Sequence, residues 1–214
     1  MYKIEIQNFS KTFKNETVLS SISLKLKEKQ IHGLIGRNGS GKTVLMKCIC
    51  GIYSPTEGSI YINGKKVTTS SDLSGVIGLI IENPGYLDGF SGLDNLRFLA
   101  ALQGISDIAY LKEMLRLVGL DPDNRKPMKK YSMGMKQRFA LAQAMMGNPE
   151  ILILDEPMNG LDNRGVEEMR QILLREKEKG RTILLSSHNR EDIAALCDTV
   201  TELDHGRIIM STVQ

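Results

Sequence analysis

The sequence has few cysteines and no long apolar run, and each absence excludes classes of protein. Its three cysteines, Cys48, Cys50 and Cys197, lack the spacing of a zinc site, and their odd number does not suggest a disulfide framework. A reducing, cytoplasmic setting is therefore favoured. No run of about 18 apolar residues occurs, so no membrane span is predicted. The N-terminus, MYKIEIQNFS, alternates like a strand and lacks the apolar core of a signal peptide.

The charge is nearly balanced, with 28 Lys and Arg against 25 Asp and Glu and a formal net charge of +3. This excess is too small to predict binding to nucleic acid or to an anionic membrane. The apolar and charged fractions, 41% and 25%, are ordinary for a soluble globular protein. With 214 residues, the chain is long enough for one good-sized domain or for one core with an inserted subdomain.

Residues 36–43 read GRNGSGKT and fit G-x-x-x-x-G-K-[ST], the phosphate-binding loop, or P-loop. An apolar run at 31–35 precedes the loop and a helical pattern at 44–49 follows it, which is the context that the motif requires. The glycines let backbone N–H groups face phosphate oxygens at a helix start. Lys42 supplies a positive charge for the β- and γ-phosphates, and Thr43 supplies a hydroxyl ligand for Mg²⁺. The loop therefore predicts binding of a nucleoside triphosphate.

The apolar run at 151–155 ends in Asp155, and Glu156 follows it directly. An apolar strand that ends in Asp is the usual partner of a P-loop, because the Asp holds the metal shell directly or through water. Glu156 is placed to polarise the attacking water. The alternative is a pair of exposed acids at a strand end, but the P-loop upstream favours the functional interpretation.

Ser132 and Gly134 mark a second helix start that suits an anion. Ser132 is placed to cap the helix that carries Phe139, and Gly134 permits a close backbone approach. A helix N-terminus favours negative charge. From this stretch alone, an ordinary capped helix is an equally good interpretation.

The other patterns predict two strand-rich parts on either side of a helical block. Alternation of apolar and polar residues predicts a small antiparallel sheet at 2–30 and a hairpin at 57–64. Continuous apolar runs predict strands covered on both faces at 76–81, 151–155 and 182–187. Helices are predicted to start at Ser91, to span 110–118, 164–179 and 190–197, and to carry a single apolar stripe of Met135, Phe139, Ala142 and Met146. A last hairpin is predicted around His205-Gly206.

These motifs make the chain resemble the nucleotide-binding subunit of ATP-binding cassette (ABC) transporters over essentially its whole length. Residues 36–43 are similar to Walker A, YSMGM at 131–135 to the signature LSGGQ, and ILILDE at 151–156 to Walker B with its glutamate. NGLD at 159–162 is similar to the loop that crosses the dimer interface, and His188 stands at the switch-histidine position. The motifs occur in the family's order, which makes coincidence implausible.

The resemblance implies an α/β fold: a P-loop NTPase (RecA-like) parallel sheet core with an antiparallel β subdomain and an inserted α-helical subdomain. We expect residues 1–214 to form a single nucleotide-binding domain. The core and antiparallel part are expected at about 1–86 and 148–214, and the helical subdomain at about 87–147.

The resemblance also implies an ATPase that uses ATP and Mg²⁺. The catalytic residues would be Lys42, Glu156 and His188, and the metal ligands Thr43, Glu82 and Asp155. Phe13 would stack on adenine. The full set of nucleotide-binding residues would be Phe13, Val18, Gly36, Asn38, Gly39, Ser40, Gly41, Lys42, Thr43 and Val44.

A sandwich of two ATP-binding subunits, identical or not, is implied as well. ATP on the P-loop of one chain would meet the signature residues of the other, because within one chain these should face away. The signature residues are Ser132, Met133, Gly134 and Met135, and Asp162 lies in the interface-crossing loop. Separate integral-membrane permease subunits would dock beside Glu82, around residues 84–95. The chain would then be cytoplasmic and peripheral on the inner face of the cell membrane, with no nucleic acid partner.

Two departures from the family pattern stand out. Glu82 replaces the usual Gln at the strand end LIIENP, so we expect one more negative charge in the site and altered metal and pH dependence. Tyr131, Met133 and Met135 replace Leu, Gly and Gln of the signature. Glu82 with the stretches ENPGYLDGFSGLDNL and YSMGMKQR resembles the branch that serves bacteriocin and peptide-antibiotic (bacitracin, lantibiotic) immunity or export.

Two other functions compete with transport. One is an ABC ATPase that acts on nucleic acid or the ribosome, but the coiled-coil insertions, zinc motifs and tandem cassettes of such relatives are absent from this sequence. The other is a regulatory subunit with little hydrolysis, against which Glu156 and His188 argue.

Overall fold

The computed structural model describes residues 1–82 and 85–213, with the backbone alone at Asp72 and Val213. The strands are β1 Tyr2–Phe13, β2 Glu16–Lys27, β3 Ile31–Ile35, β4 Glu57–Ile62, β5 Lys65–Lys66, β6 Ile77–Ile80, β7 Ile151–Leu154, β8 Thr182–Ser186, β9 Thr199–Asp204 and β10 Arg207–Val213. The helices are α1 Lys42–Ile49, α2 Gly92–Leu102, α3 Ile108–Leu117, α4 Met133–Met145, α5 Asn163–Glu178 and α6 Arg190–Leu196, with 3₁₀ turns at Ser70–Leu73 and Met128–Lys130.

Two sheets form the framework. A four-stranded sheet in the order β2-β1-β4-β5 is antiparallel, and a six-stranded sheet has the order β10-β9-β3-β8-β7-β6. In the six-stranded sheet, β9, β3, β8, β7 and β6 run parallel and β10 returns antiparallel to β9. Helices α2, α3 and α4 lie between β6 and β7 in the sequence. The expected parallel core, antiparallel β part and helical insertion are therefore all present.

The six-stranded sheet separates two hydrophobic cores, because successive side chains of a strand point to opposite faces. On β7, Leu152 and Leu154 join the core formed with the helices α2–α5. Ile151 and Ile153 join the second core, which is shared with α1 and the antiparallel sheet. Both faces of β7 are covered, as the continuous apolar run ILIL predicted.

The same prediction is wrong for β6, which lies at the edge of the sheet. Its Leu79 is 41% exposed. Only the face that carries Gly78 is closely covered, since a Cβ on Gly78 would lie 1.7 Å from the carbonyl oxygen of Ala144 in α4. An edge position cannot be read from an apolar run alone, because edge and central strands have similar composition when one face is well packed.

The single apolar stripe predicted for α4 is also wrong. Phe139, Ala140, Leu141 and Ala142 are consecutive and all buried. A helix that is buried all round lies inside a protein rather than on its surface. Helix α4 packs against β6 on one side and against α2 and α3 on the other, so it is held rigidly within the first core.

The predicted turns and caps are confirmed. Asn63 and Gly64 have φ of 52° and 74° between β4 and β5, and His205 and Gly206 have φ of 44° and 73° between β9 and β10. Positive φ at both central residues is the type I′ hairpin geometry. Ser91 caps α2 by accepting a hydrogen bond from the N–H of Asp94 at 3.2 Å.

The three cysteines are buried and free, as small core residues. Burial raises the pKa of Cys48, Cys50 and Cys197 to about 12 in each case. A thiol with so high a pKa is a poor nucleophile at neutral pH. In the part of the chain that the structure describes, no helix has the length and apolar character needed to cross a bilayer.

His32, which is 2% exposed on β3, makes the stability depend on pH. Its Nε2 lies 2.8 Å from the carbonyl oxygen of Lys27, and its Nδ1 lies 2.6 Å from Oγ1 of Thr199. Burial lowers the pKa of His32 below 6.5. Below about pH 6.5, His32 is therefore protonated more in the unfolded chain than in the folded chain. The free energy of unfolding then decreases as pH falls, by at most about 1.4 kcal/mol per pH unit.

We expect His32→Gln to remove this share of the pH dependence. The measurement is urea unfolding of both proteins at pH 7.5, 6.5 and 5.5. The free energy of unfolding of the parent should drop more steeply below pH 6.5 than that of the variant. Parallel pH profiles would contradict the assignment.

Candidate functional site

The predicted site residues gather at one edge of the six-stranded sheet. The P-loop follows β3, Asp155 follows β7 and His188 follows β8. Since β8 pairs in parallel with both β3 and β7, the three strands end side by side. The carboxyl ends of parallel strands are the usual place for a ligand in such sheets.

The P-loop is shaped by its glycines. Gly36, with φ of 147°, lies against β9, where a Cβ would be 2.1 Å from the carbonyl oxygen of Leu203. Gly39, with φ of 80°, faces open space instead. Helix α1 begins directly after Gly41, without a side-chain cap or an acid in its first turn. Its first N–H groups and its dipole are thus left for an external anion.

Lys42 lies over this loop and is 8% exposed. Its ammonium donates to the carbonyl oxygen of Gly36 at 2.7 Å and to that of Arg37 at 3.1 Å. These two bonds hold the Lys42 ammonium in position over the loop. A phosphate at the α1 N-terminus would meet both the amides and this ammonium.

A chain of hydrogen bonds connects the P-loop with the predicted catalytic groups. Thr43 Oγ1 donates to Asp155 Oδ2 at 2.6 Å, and Ser186 Oγ donates to Asp155 Oδ1 at 2.5 Å. The same Ser186 oxygen accepts from the N–H of Glu156 at 2.9 Å. Glu156 Oε2 lies 2.9 Å from His188 Nδ1. Asp155, Glu156 and His188 are therefore fixed relative to one another and to the start of α1.

The residues fit a Mg²⁺ ion. The hydroxyl of Thr43 and a carboxylate oxygen of Asp155 lie side by side, and Glu82 lines the same cavity of about 280 Å³ as Asp155 and Glu156. Oxygen donors of this kind suit Mg²⁺, which is usually bound by one or two carboxylates together with substrate phosphates. Within residues 1–82 and 85–213, no group of three or more acids, histidines or cysteines forms a cage for a metal by itself.

Glu82 is not an unpaired charge. It follows β6 with φ of 58°, and its Oε1 accepts a hydrogen bond from Lys47 Nζ at 2.6 Å. Lys47 lies one helical turn after Thr43 on α1, and this bond to Glu82 raises the pKa of Lys47. The negative charge that Glu82 adds relative to Gln is therefore paired with the Lys47 ammonium, and the altered metal and pH dependence expected from Glu82 stays a prediction.

The two residues expected to lie at the adenine of bound ATP are Phe13 on β1 and Val18 on β2. Phe13 packs edge-on against Tyr53, with ring centroids 5.1 Å apart, and Lys11 Nζ lies 4.7 Å from the Phe13 centroid. Val18 lies next to the P-loop, since its carbonyl oxygen would be 3.3 Å from a Cβ on Gly41. Stacking of Phe13 on adenine stays a prediction.

The signature residues begin α4 as predicted. Ser132 Oγ accepts from the N–H of Met135 at 3.2 Å and caps the helix. Ser132 and Gly134 line a concavity together with Asp162. The structure describes all of residues 36–43, and none of these P-loop residues lines that concavity. Asp162 also caps α5 by accepting from the N–H of Gly165 at 2.8 Å. The arrangement agrees with signature residues that face away from the P-loop of their own chain.

Met133 departs from that arrangement. Its side chain is exposed and lines the same cavity as Asp155 and Glu156. Residues 132–135 therefore line two cavities, one beside Asp162 and one beside Asp155 and Glu156 of the same chain.

Sequence reasoning missed four residues that organise the site. Ser186 joins Asp155 to Glu156, Lys47 holds Glu82, Tyr53 packs against Phe13, and Gln137 donates to the carbonyl oxygen of Pro157 at 2.8 Å. Only Ser186 carried a usable signal, because it stands at the end of an apolar strand two residues before His188. The other three depend on contacts between distant segments.

Comparisons with known proteins agree with this geometry. The sequence profile of the ABC transporter family matches residues 19–159. The uncharacterized ABC transporter ATP-binding protein YybJ of Bacillus subtilis is 42% identical over 205 residues, which cover 96% of this chain and 94% of YybJ.

Two further relatives are named after peptide antibiotics. The bacitracin transport ATP-binding protein BcrA of Enterococcus faecalis is 39% identical, with 97% of this chain and 68% of BcrA covered. The lantibiotic transport ATP-binding protein SrtF of Streptococcus pyogenes is 37% identical, with 97% of this chain and 89% of SrtF covered.

The solved structures include the ATP-binding cassette MJ0796, a dimer in a post-hydrolysis state bound to ADP and Pi. It superposes with a TM-score of 0.90 at 24% identity, covering 98% of each chain. The cassette fold predicted from the sequence is therefore confirmed.

Proposed function

The chain belongs to the ABC transporter family as an ATP-binding subunit that hydrolyses ATP, and we propose that two copies or two related chains close on ATP to drive export of a peptide antibiotic. The observation that carries the ATP-driven part of this proposal is the hydrogen-bonded chain from Thr43 through Asp155, Ser186 and Glu156 to His188. These bonds support the proposal because they join the start of α1, the carboxylates of Asp155 and Glu156, and His188 in one continuous series. The peptide cargo is suggested by the names of the relatives BcrA and SrtF.

The roles follow from the geometry. The P-loop amides and Lys42 hold the β- and γ-phosphates, and Thr43, Asp155 and Glu82 would hold Mg²⁺, which neutralises phosphate charge when bound. Glu156 orients the attacking water and accepts its proton. His188 is mostly exposed and its Nδ1 lies 2.9 Å from Glu156 Oε2. In this proposal it orients that carboxylate and would contact the γ-phosphate of bound ATP.

The second half of the site comes from another chain in this proposal. Ser132 and Gly134 form an exposed, capped helix start away from their own P-loop. The dimer of MJ0796 with ADP and Pi provides a relative in which cassettes pair. ATP would thus lie between the P-loop of one chain and α4 of the other, with Asp162 in the loop between the two sites.

A surface of exposed apolar side chains suits the permease partner. Leu87, Phe90 and Phe98 are about half exposed, and Phe90 packs edge-on against Phe98 at 5.1 Å. Beside Phe98, a cavity of about 600 Å³ opens between α2 and α3. Exposed apolar patches of this kind mark protein interaction sites.

The docking region expected at 84–95 needs one correction. Asn95 does not lie on the surface, because it is buried and its side chain bonds the N–H of Leu87 at 2.7 Å and the carbonyl oxygen of Ser91 at 2.9 Å. Asn95 instead holds the 87–91 loop so that Leu87 and Phe90 face outward. Pro84 lies outside the described residues.

We expect Phe98→Asp to weaken docking on the permease, because a charge would replace an aromatic ring in an apolar interface. The chain is co-expressed with a candidate permease, a membrane protein with about six hydrophobic spans, and the membrane-bound fraction is measured. Loss of one well-packed aromatic contact should lower that fraction about tenfold or more. Ile209→Asp, at an exposed apolar position on β10, is the matched control.

A parent chain that stays unbound to these membranes, or whose ATPase is stimulated by DNA or ribosomes instead, would contradict the transport role. Membrane vesicles with the bound chain then test the cargo directly, by ATP-dependent movement of bacitracin and of a lantibiotic. The names of BcrA and SrtF support these two peptides as the first to test.

A further inference from the structure

Helix α4 is bonded to the loop that carries Glu156 in the same chain. Gln137, one turn into α4, donates from Nε2 to the carbonyl oxygen of Pro157 at 2.8 Å and to that of Glu156 at 3.4 Å. Both carbonyls belong to the two residues at the start of the loop 156–162. An amide that bonds two consecutive carbonyls restricts their orientation, and with it the direction of the Glu156 side chain.

The first turn of α4 touches the same loop farther along. A Cβ on Gly160 would lie 2.2 Å from Cγ of Met133, so Met133 packs directly on the Gly160 backbone. A Cβ on Gly134 would lie 3.2 Å from the Gly160 carbonyl oxygen. The loop therefore contacts α4 at two places, at its tip through Met133 and Gly134 and at its base through Gln137.

In the proposed two-chain sandwich, this contact of α4 with the loop 156–162 would connect two different nucleotides. The start of α4 is the part that would contact ATP on the partner's P-loop, whereas Glu156 acts on ATP held by its own chain. We propose that Gln137 is a positioning residue that couples movement of α4, on closure over the partner's nucleotide, to the direction of the Glu156 side chain through the Pro157 and Glu156 carbonyls. The inference rests on the proposed two-chain sandwich.

The packing of the rest of α4 favours movement of the helix as a rigid body when its first turn shifts. From Phe139 to Ala142 the helix is buried on all sides. Packed helices move as rigid bodies between discrete arrangements. A shift at Ser132 and Met133 is therefore carried to Gln137, one turn away, and through its hydrogen bonds to the Pro157 and Glu156 carbonyls.

The test measures the loop itself and not only turnover. In a Glu156→Gln chain, hydrogen exchange is followed at the N–H groups of Asn159 and Leu161, which bond the carbonyl oxygens of Glu156 and Met158. ATP with Mg²⁺ should slow this exchange as the dimer closes. Adding Gln137→Met, which keeps the length of the side chain but removes both donors, should leave dimer formation intact and reduce the ATP-induced slowing by roughly two- to thirtyfold. Gln171→Met, on the exposed face of α5, should have no effect.

Several results would overturn the inference. One is an ATP-induced slowing that is equal with and without Gln137. Another is that Gln137→Met speeds exchange by the same factor with and without ATP. That result is expected if Gln137 only stabilises the loop and does not respond to closure. If the Glu156→Gln chain forms no dimer in ATP, the proposed sandwich itself is wrong, and the size measurement reveals that separately from exchange.

Discussion

Replacing Glu156 by Gln is expected to lower ATP hydrolysis by roughly 10²–10⁴-fold, the usual contribution of general-base catalysis, while ATP binding is retained. Gln has nearly the shape of Glu, and its amide still bonds to His188, so the row from Thr43 to His188 keeps its geometry. What is lost is the carboxylate that accepts the proton of the attacking water. The measurement is phosphate release at saturating ATP, with ATP affinity determined in parallel.

Because this variant binds ATP without consuming it, it should accumulate as an ATP-dependent dimer. Glu113→Gln is a suitable control, since Glu113 lies on the surface of α3 and pairs only with Arg116 among the described residues. Hydrolysis at the parent rate by Glu156→Gln would remove Glu156 from the catalytic role.

Replacing Lys42 by Ala is expected to weaken ATP binding by roughly 10- to 150-fold, because a hydrogen bond from a charged group contributes about 1.5–3 kcal/mol. Lys42 is largely buried, and its ammonium is held over the loop by the carbonyls of Gly36 and Arg37. ATP therefore gains its charge without having to order a flexible side chain. Titration of a fluorescent ATP analogue measures the effect.

The matched control is Lys112→Ala. Lys112 lies on α3 and pairs with Asp123, which follows that helix. The ATP affinity of this variant should equal that of the parent. If Lys42→Ala binds as tightly as this control, the nucleotide is not held at the P-loop as described.

Local patterns predicted those parts of the site that are continuous in sequence. The strand before Gly36, the helix after Thr43, the cap at Ser132 and the hairpins at Asn63-Gly64 and His205-Gly206 each depend on the residues within one short segment. Their physical causes, positive φ, capping and alternation, are properties of neighbours along the chain. For this reason the P-loop context and the α4 start were both predicted correctly.

The sequence could not predict what depends on pairing between distant segments. Lys47 meets Glu82 only because α1 packs beside the end of β6, and that contact pairs the charge of Glu82 with an ammonium. Gln137 meets Pro157 because α4 packs against the loop after β7. The exposure of Leu79 follows from the position of β6 at the sheet edge, which is decided by topology and not by composition.

The central claim is that each ATP site is shared between two chains, and complementation between two inactive chains tests it most directly. One chain carries Lys42→Ala, which disables its P-loop. The other carries Ser132→Asp, which still caps α4 but places a carboxylate where a phosphate would bind. Each chain alone should be inactive. In a two-fold dimer, random mixing in equal amounts makes half of the dimers hybrid, each with one intact site. The mixture should therefore recover ATPase activity, at most about a quarter of the parent rate, and less to the extent that Gln137 couples Glu156 to the disabled second site. A mixture as inactive as its components would contradict the claim.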